Sequence, residues 1–144
     1  MKWFSLAAYS SFLISALHIV IVCFLGADGY RTFGAGEKMA RLAEEGSMYT
    51  PLLTLAIAIV FAVFGLYALA GQQTVKRPPF LFVGLILIAF IYLIRGLGGI
   101  PMYFSGHYNH NLIIWSSIIS FSVGCFYTLG IIQHYNSLKI VYRG

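Results

Sequence analysis

The stretch PLLTLAIAIVFAVFGLYALA, Pro51–Ala70, runs for twenty residues without a charged side chain. About 20 apolar residues in an α-helix cover the roughly 30 Å hydrocarbon core of a bilayer, because each residue rises about 1.5 Å. Three further stretches have similar length and are almost as apolar: Trp3–Leu25, Phe80–Ile100 and Leu112–Tyr135. Together they predict four transmembrane helices.

The composition agrees with a membrane protein. Of the 144 residues, 60% are hydrophobic and 9% are charged, whereas a soluble domain carries about 25% charged residues. The first stretch exceeds the 7–15 apolar residues typical of a signal peptide and has no A-x-A-like site after it, so we expect a retained helix. The prediction is one integral membrane domain over residues 1–144, an all-α four-helix transmembrane bundle running up-down-up-down.

The placement of the charges predicts the orientation. Five basic residues fall on the side shared by the N-terminus, the second connection and the C-terminus: Lys2, Lys76, Arg77, Lys139 and Arg143. The other side carries three basic residues and all four acids. Because basic residues favour the cytoplasm, we expect both termini to be cytoplasmic. The net charge of +5 then suits anionic lipid headgroups, and no nucleic-acid partner is indicated.

The first connection, Gly26 to Tyr49, is the only long one. Its segment GEKMARLAEEGS has helical spacing, with Met39, Leu42 and Ala43 on one side and charges on the other. One interpretation is a short amphipathic helix on the outer membrane surface. The alternative is a lid or a segment that contacts a substrate.

The longer segment FGAGEKMARLAEEGS, followed by a helix that begins with proline, resembles segments of small four-helix bacterial inner-membrane proteins to which no function is assigned. The resemblance spans most of the chain. It implies a bacterial inner membrane, and it supplies no catalytic residues.

Polar and small residues recur at helical spacing inside three of the spans. They predict faces directed at the bundle axis, since lipid adds no hydrophobic drive between helices and small or polar contacts mark their interfaces. Such faces serve either packing or binding. The stripes are Ser11, Ser15 and His18; Thr54, Ala58, Phe61 and Gly65; and Ser116, Ser120, Gly124 and Tyr127.

The segment IYLIRGLGG places Arg95 about five residues, or ~8 Å, below the predicted outer end of its span. His18, Thr54, Ser116 and Ser120 fall in the same outer layer. Arg95 either snorkels toward the headgroups or points inward to an anion, and we favour the inward orientation. The anion would be Glu44 or Glu45 from the connection above, or the carboxylate or phosphate of a ligand, which a guanidinium binds bidentately.

HYNH places His107 and His110 at i, i+3, a spacing compatible with two metal ligands in a helical loop. With His18 or a glutamate they could hold zinc or copper, but solvated loop residues are the favoured explanation of the pattern. A haem between two histidines is not favoured, because His18 and His134 lie at opposite ends of the bundle. No cofactor is identified.

The sequence keeps two function classes open. The first is a membrane protein whose outer polar pocket binds a small anionic molecule or a lipid headgroup. The second is a structural or accessory subunit whose small-residue stripes recruit a second copy or a partner subunit. A weak metal or enzymatic site ranks third, since the chain has no phosphate loop, no H-E-x-x-H motif and no acid inside a span.

Overall fold

The computed structural model describes residues 2–33, 35–104 and 110–139. Within these ranges the elements are all helical: α1 Lys2–Val20, a π-helical turn Ile21–Leu25, α2 Gly26–Thr32, α3 Glu37–Glu44, α4 Tyr49–Gly71, α5 Leu81–Phe104, α6 His110–Gln133 and α7 Tyr135–Lys139. Four of the helices are long and apolar enough to cross a membrane, counting α1 together with its continuation through α2. The predicted all-α chain with four candidate spans is therefore confirmed, and the chain is a multi-pass membrane protein.

The four long helices pack in a ring. Helix α1 packs against α4 and α6, and α5 packs against α4 and α6. The pairs α1–α4 and α5–α6 are the most extensive, whereas α4 and α5 meet over a smaller area. The buried core lies inside this ring and consists mainly of aliphatic and aromatic side chains.

One end of the ring is marked by Phe4, and we call it the Phe4 end. The Phe4 ring lies where side chains on Gly71 of α4 and Gly130 of α6 would be. The Ser5 hydroxyl beside it donates to Gln72 Oε1 at 2.9 Å. This end therefore contains the start of α1 and the last residues of α4 and α6.

Helices α5 and α6 approach closely at glycines. A Cβ on Gly96 would lie 2.8 Å from the Phe121 Cα, and a Cβ on Gly124 would lie 3.0 Å from the Leu93 backbone nitrogen. Backbone atoms cannot move aside as a flexible side chain can, so only glycine fits at these crossings.

The observed boundaries correct two of the predicted ones. The first helix does not end at Leu25 but continues through the π-helical turn to Thr32. The third helix does not end at Ile100, because α5 contains Pro101 and runs on to Phe104. Proline removes only one helical hydrogen bond, and near a helix end this loss is small.

Helix α3 confirms that GEKMARLAEEGS contains a helix. Gly36, with a φ of +95°, turns the chain before α3, and Ala40 packs into a cluster with Ile21 and Tyr30. Met39 and Ala43 border the same cluster. Leu42 is half-buried as they are, and it also borders a groove with the charged residues Lys38, Arg41 and Glu45.

Candidate functional site

A buried group of hydroxyls connects all four long helices near the middle of the bundle. Ser11 Oγ of α1 lies 3.0 Å from the hydroxyl oxygens of both Tyr92 on α5 and Tyr127 on α6. The Tyr127 hydroxyl donates to the Phe64 carbonyl of α4 at 2.7 Å. Ser11 and both tyrosines are buried, and buried tyrosine hydroxyls need such partners.

Aromatic rings surround this hydroxyl group and close the interior of the bundle. The Phe61 ring lies 5.9 Å from the rings of Phe64 and Tyr92, and Tyr92 stacks on Tyr127 at 5.7 Å. We call these four residues the aromatic floor. Sequence reasoning missed Tyr92. The available signal was a tyrosine in the middle of a span, away from the interfacial belts where tyrosine is enriched.

Arg95 lies beyond the aromatic floor, on the side away from the Phe4 end. It follows Tyr92 by three residues and Ile88 by seven, so it shares a helix face with two buried residues. Its Nη2 donates to Ser116 Oγ at 3.4 Å. Ser116 in turn precedes the buried Val123 by seven residues on the core-facing side of α6.

Arg95 and Ser116 thus continue the core-facing stripes of α5 and α6. Arg95 is nevertheless exposed and Ser116 is only half-buried. Arg95 therefore lies at an accessible edge of its stripe. We call this region the Arg95 opening. Ser120, one turn along α6 from Ser116, is half-buried on the same face.

The other predicted site residues of the spans are engaged elsewhere. His18 is half-buried, its Nδ1 lies 2.7 Å from the Ile14 carbonyl of its own helix, and its ring lies 5.2 Å from Phe61. Thr54 is buried, its hydroxyl donates to Thr50 O at 2.9 Å, and the same oxygen lies 3.2 Å from the Tyr30 hydroxyl. The structure therefore brings Arg95 and Ser116 into contact but does not bring His18 or Thr54 against them.

The expectation that Glu44 or Glu45 neutralises Arg95 needs correction. Arg31 Nη1 lies 2.7 Å from Glu44 Oε1, and the same guanidinium contacts Glu37 at 3.1 Å and Asp28 at 3.6 Å. The cause is local, because the turn at Gly36 folds α3 back beside Arg31. Among the described residues, which include all four acids, no carboxylate pairs with Arg95.

The ion pairs of Arg31 affect the titration of their carboxylates. The hydrogen bond from Arg31 is the main cause that lowers the pKa of Glu37 and of Glu44 below the usual range. Glu45 is exposed along the groove with Lys38 and Arg41. These acids form a charged surface around α3, separate from the Arg95 opening.

An apolar groove of about 480 Å³ lies between α5 and α6. Arg95 is not among the residues that line this groove, although Gly99, one turn further along α5, is. The sequence did not predict this groove. Its other lining residues are Gly96, Gly99, Ile100, Tyr103, Phe104, Ile114, Ser117, Ile118, Phe121 and Ser122.

The predicted metal ligands cannot be placed. His107 and the side chain of His110 lie outside the described residues. In the part of the chain that is described, no group of three histidine, cysteine, aspartate or glutamate side chains is arranged to hold a metal ion.

Comparisons with protein-family models, with curated proteins and with solved structures each found no match. The class of the protein therefore rests on its fold, that of a helical multi-pass membrane protein.

Proposed function

We propose that this membrane protein binds an anionic group, the phosphate or carboxylate of a small molecule or of a lipid headgroup, at Arg95. One observation carries the proposal. Arg95 is a cation on the core-facing side of a spanning helix, it is exposed in an opening, and its partner among the described residues is the neutral Ser116. An anion would complete the site.

Energetics support an anion at this position. Arg95 lies six residues, or ~9 Å, from the end of its candidate span at Pro101. A charged side chain costs roughly 2.5–3.5 kcal/mol at the bilayer centre and less toward the edge. A bound phosphate or carboxylate offsets this cost and accepts two parallel hydrogen bonds from the guanidinium.

The other residues predicted to bind the ligand differ in how well their positions support that role. Ser116 and Ser120 lie on the face of α6 that borders the Arg95 opening. His18 borders the aromatic floor through Phe61 and is proposed as a neighbour of the ligand. Thr54, Glu44 and Glu45 are engaged or directed elsewhere, and we do not retain them as direct ligands.

The proposed setting is a bacterial inner membrane, with an up-down-up-down bundle whose Phe4 end is cytoplasmic. Support comes from the meeting of the start of α1 with the last residues of α4 and α6 at that end. The basic residues Lys76 and Arg77, in the connection after α4, follow the positive-inside rule in this orientation. In this arrangement α3 lies at the outer side, above the bundle.

The rival function, an accessory subunit, loses its original support. The stripes proposed to recruit other helices are occupied within the chain: Ala58 O accepts a hydrogen bond from Ser15, and the Phe12 ring lies against Gly65. Gly124 is packed against Leu93. These small residues therefore offer no free groove to a partner helix. A metal or enzymatic site involving His107 and His110 stays a prediction.

The test compares Arg95→Lys, Arg95→Gln and wild type in a zwitterionic detergent. Inorganic phosphate and labelled acetate serve as probes, and binding is read as broadening of the phosphorus and carbon NMR lines. Wild type is expected to broaden at least one probe, and both variants are expected to lose this effect, because lysine lacks the bidentate fork. Arg77→Gln is the matched control, since it removes the same charge outside the spans and should behave as wild type.

Two outcomes would count against the proposal. If neither probe shows broadening that depends on Arg95, the proposal of a small soluble anion is wrong. If Arg95→Lys equals wild type in binding and thermal stability, Arg95 only snorkels, because a long stem with a positive head is then sufficient.

A further inference from the structure

The seam between α4 and α5 is closed over the half nearer the Phe4 end. Phe64 on α4 meets Tyr92 on α5, with ring centroids 5.9 Å apart. Nearer the Phe4 end, the Tyr67 ring fills the space beside Gly84, where a Cβ would collide with it. Aromatic side chains of α4 therefore fill this half of the seam.

The same seam lacks such filling beyond the aromatic floor. On α4, Leu53 and Ile57 precede Phe64 by eleven and seven residues and share its helix face. On α5, Ile91 and Arg95 follow Gly84 by seven and eleven residues and share its face. Leu53, Ile57 and Ile91 are 36%, 37% and 49% exposed. These partly exposed apolar side chains flank Arg95, and we call the surface between α4 and α5 that they line the slot.

The depth of the slot matches that of the arginine. Leu53 and Ile57 lie four and eight residues from the start of their candidate span at Tyr49, or ~6 and ~12 Å. Arg95 lies ~9 Å from the end of its own span, between these two depths. A cation at this depth beside an apolar slot complements a molecule with an anionic head and a hydrocarbon chain.

We infer that the ligand of Arg95 is an anionic membrane phospholipid that enters sideways between α4 and α5. Its headgroup phosphate binds Arg95 and Ser116, and an acyl chain lies along Leu53, Ile57 and Ile91. This inference rests on the proposed function and names its ligand class. A water-soluble anion gains nothing from apolar walls, whereas an acyl chain leaves and enters the hydrocarbon through them without contacting water.

The experiment blocks the slot without touching the arginine. Ile57→Trp places a large ring in the slot, and Ile59→Trp is the matched control, because Ile59 is 64% exposed and lies ~200° around the helix from Ile57. Each protein is placed in nanodiscs with equal palmitoyl-oleoyl phosphatidylglycerol and phosphatidylcholine. Native mass spectrometry then measures the ratio of the two lipids retained on the released protein.

Wild type and Ile59→Trp are expected to retain phosphatidylglycerol preferentially. Ile57→Trp and Arg95→Gln should each lower its retention by about tenfold, equivalent to ~1.4 kcal/mol. If Ile57→Trp unfolds at a lower temperature than Ile59→Trp, the same comparison is made with Ile91→Trp and, as its control, Ile86→Trp, because Ile86 is similarly exposed but lies ~140° around the helix from Ile91.

The results separate this inference from the proposed function. If phosphate or acetate binding depends on Arg95 but tryptophan in the slot leaves phosphatidylglycerol retention unchanged, the ligand is a soluble anion and the lipid inference is overturned. If Arg95→Gln changes neither probe binding nor lipid retention, the proposed function itself fails.

Discussion

Ser11 shows how a single small side chain can join the whole bundle. Its hydroxyl lies within hydrogen-bond distance of two tyrosines on different helices, and Tyr127 extends the connection to the α4 backbone. No water competes for these groups in a buried site, so each hydroxyl depends on its neighbours. The position of Tyr92 and Tyr127, and thereby of the aromatic floor, follows from this network.

Replacing Ser11 by alanine is expected to destabilise the protein by about 0.5–2 kcal/mol, because interhelical hydrogen bonds in membranes contribute about 0.6 and at most about 1.7 kcal/mol each. Equilibrium unfolding in mixed micelles measures the change. Ser122→Ala is the control, since Ser122 bonds only to the Ile118 carbonyl of its own helix among the described residues. Equal effects of the two substitutions would contradict the role given to Ser11.

At the scale of the elements, two glycines of α5 differ in their surroundings: one is closely packed and the other, two residues further on, is open. Gly96 lies against the Phe121 backbone, whereas a Cβ built on Gly98 would have no neighbour within 4 Å among the described residues outside the adjoining backbone of its own helix. Gly96→Ala is therefore expected to force α5 and α6 apart at a cost of about 1–3 kcal/mol. Gly98→Ala is expected to be neutral or to stabilise by up to about 1 kcal/mol through helix propensity.

Thermal unfolding of both alanine variants in detergent tests this pair. Because the substitutions are identical and only two residues apart, general effects on helix formation cancel in their difference. A Gly96→Ala protein as stable as Gly98→Ala would show that the two helices do not cross as closely as described.

The stability of helix α3 is expected to depend on pH. Arg31 lowers the pKa of Glu37 and Glu44, mainly by its hydrogen bonds. The stabilisation that these two ionised carboxylates give to α3 is therefore complete above the carboxyl pKa of the unfolded chain, about 4.3. It is lost as the pH falls through their lowered pKa values in the folded protein. We expect hydrogen-exchange protection of residues 37–45, corrected for intrinsic rates, to hold from pH 7 to about pH 4.5 and to fall below it.

Two variants check the origin of this acid effect. Combining Glu37→Gln with Glu44→Gln should reduce protection already at pH 7 and remove most of its pH dependence. Glu45→Gln should behave as wild type, since Glu45 is outside the ion pairs of Arg31. Protection in wild type that is unchanged at pH 3 would show that the apolar contacts of Ala40 hold α3 alone.

At the scale of the whole molecule, the proposed orientation is directly testable. Single cysteines replace Thr74, between α4 and α5, and Glu45, after α3, in a protein whose Cys23 and Cys125 are changed to alanine. In intact bacterial cells, an impermeant maleimide is expected to label position 45 and to reach position 74 only after lysis. Labelling of both positions, or of position 74 alone, would contradict a cytoplasmic Phe4 end.

The candidate site divides into what residue types predict and what packing decides. The depth of Arg95 and the core-facing position of Ser116 and Ser120 follow from hydropathy and helical spacing, which need no tertiary information. The ion-pair partner of Glu44 does not follow from hydropathy and spacing. Four cations lie within a few turns of a predicted outer end: Arg31, Lys38, Arg41 and Arg95. Glu44 pairs with Arg31 because α3 folds back against α2.

The sequence by itself determined that four helices of this chain are long and apolar enough to span a membrane, since about 20 consecutive apolar residues satisfy the bilayer without any partner. Tertiary structure alone decided that Tyr92 joins Ser11 and that Pro101 continues a helix. It also decided that Leu53, Ile57 and Ile91 stay partly exposed on the sides of α4 and α5 that flank Arg95. The physical reason is that these features depend on which helix faces lie opposite each other, and hydropathy along one chain does not encode that relation.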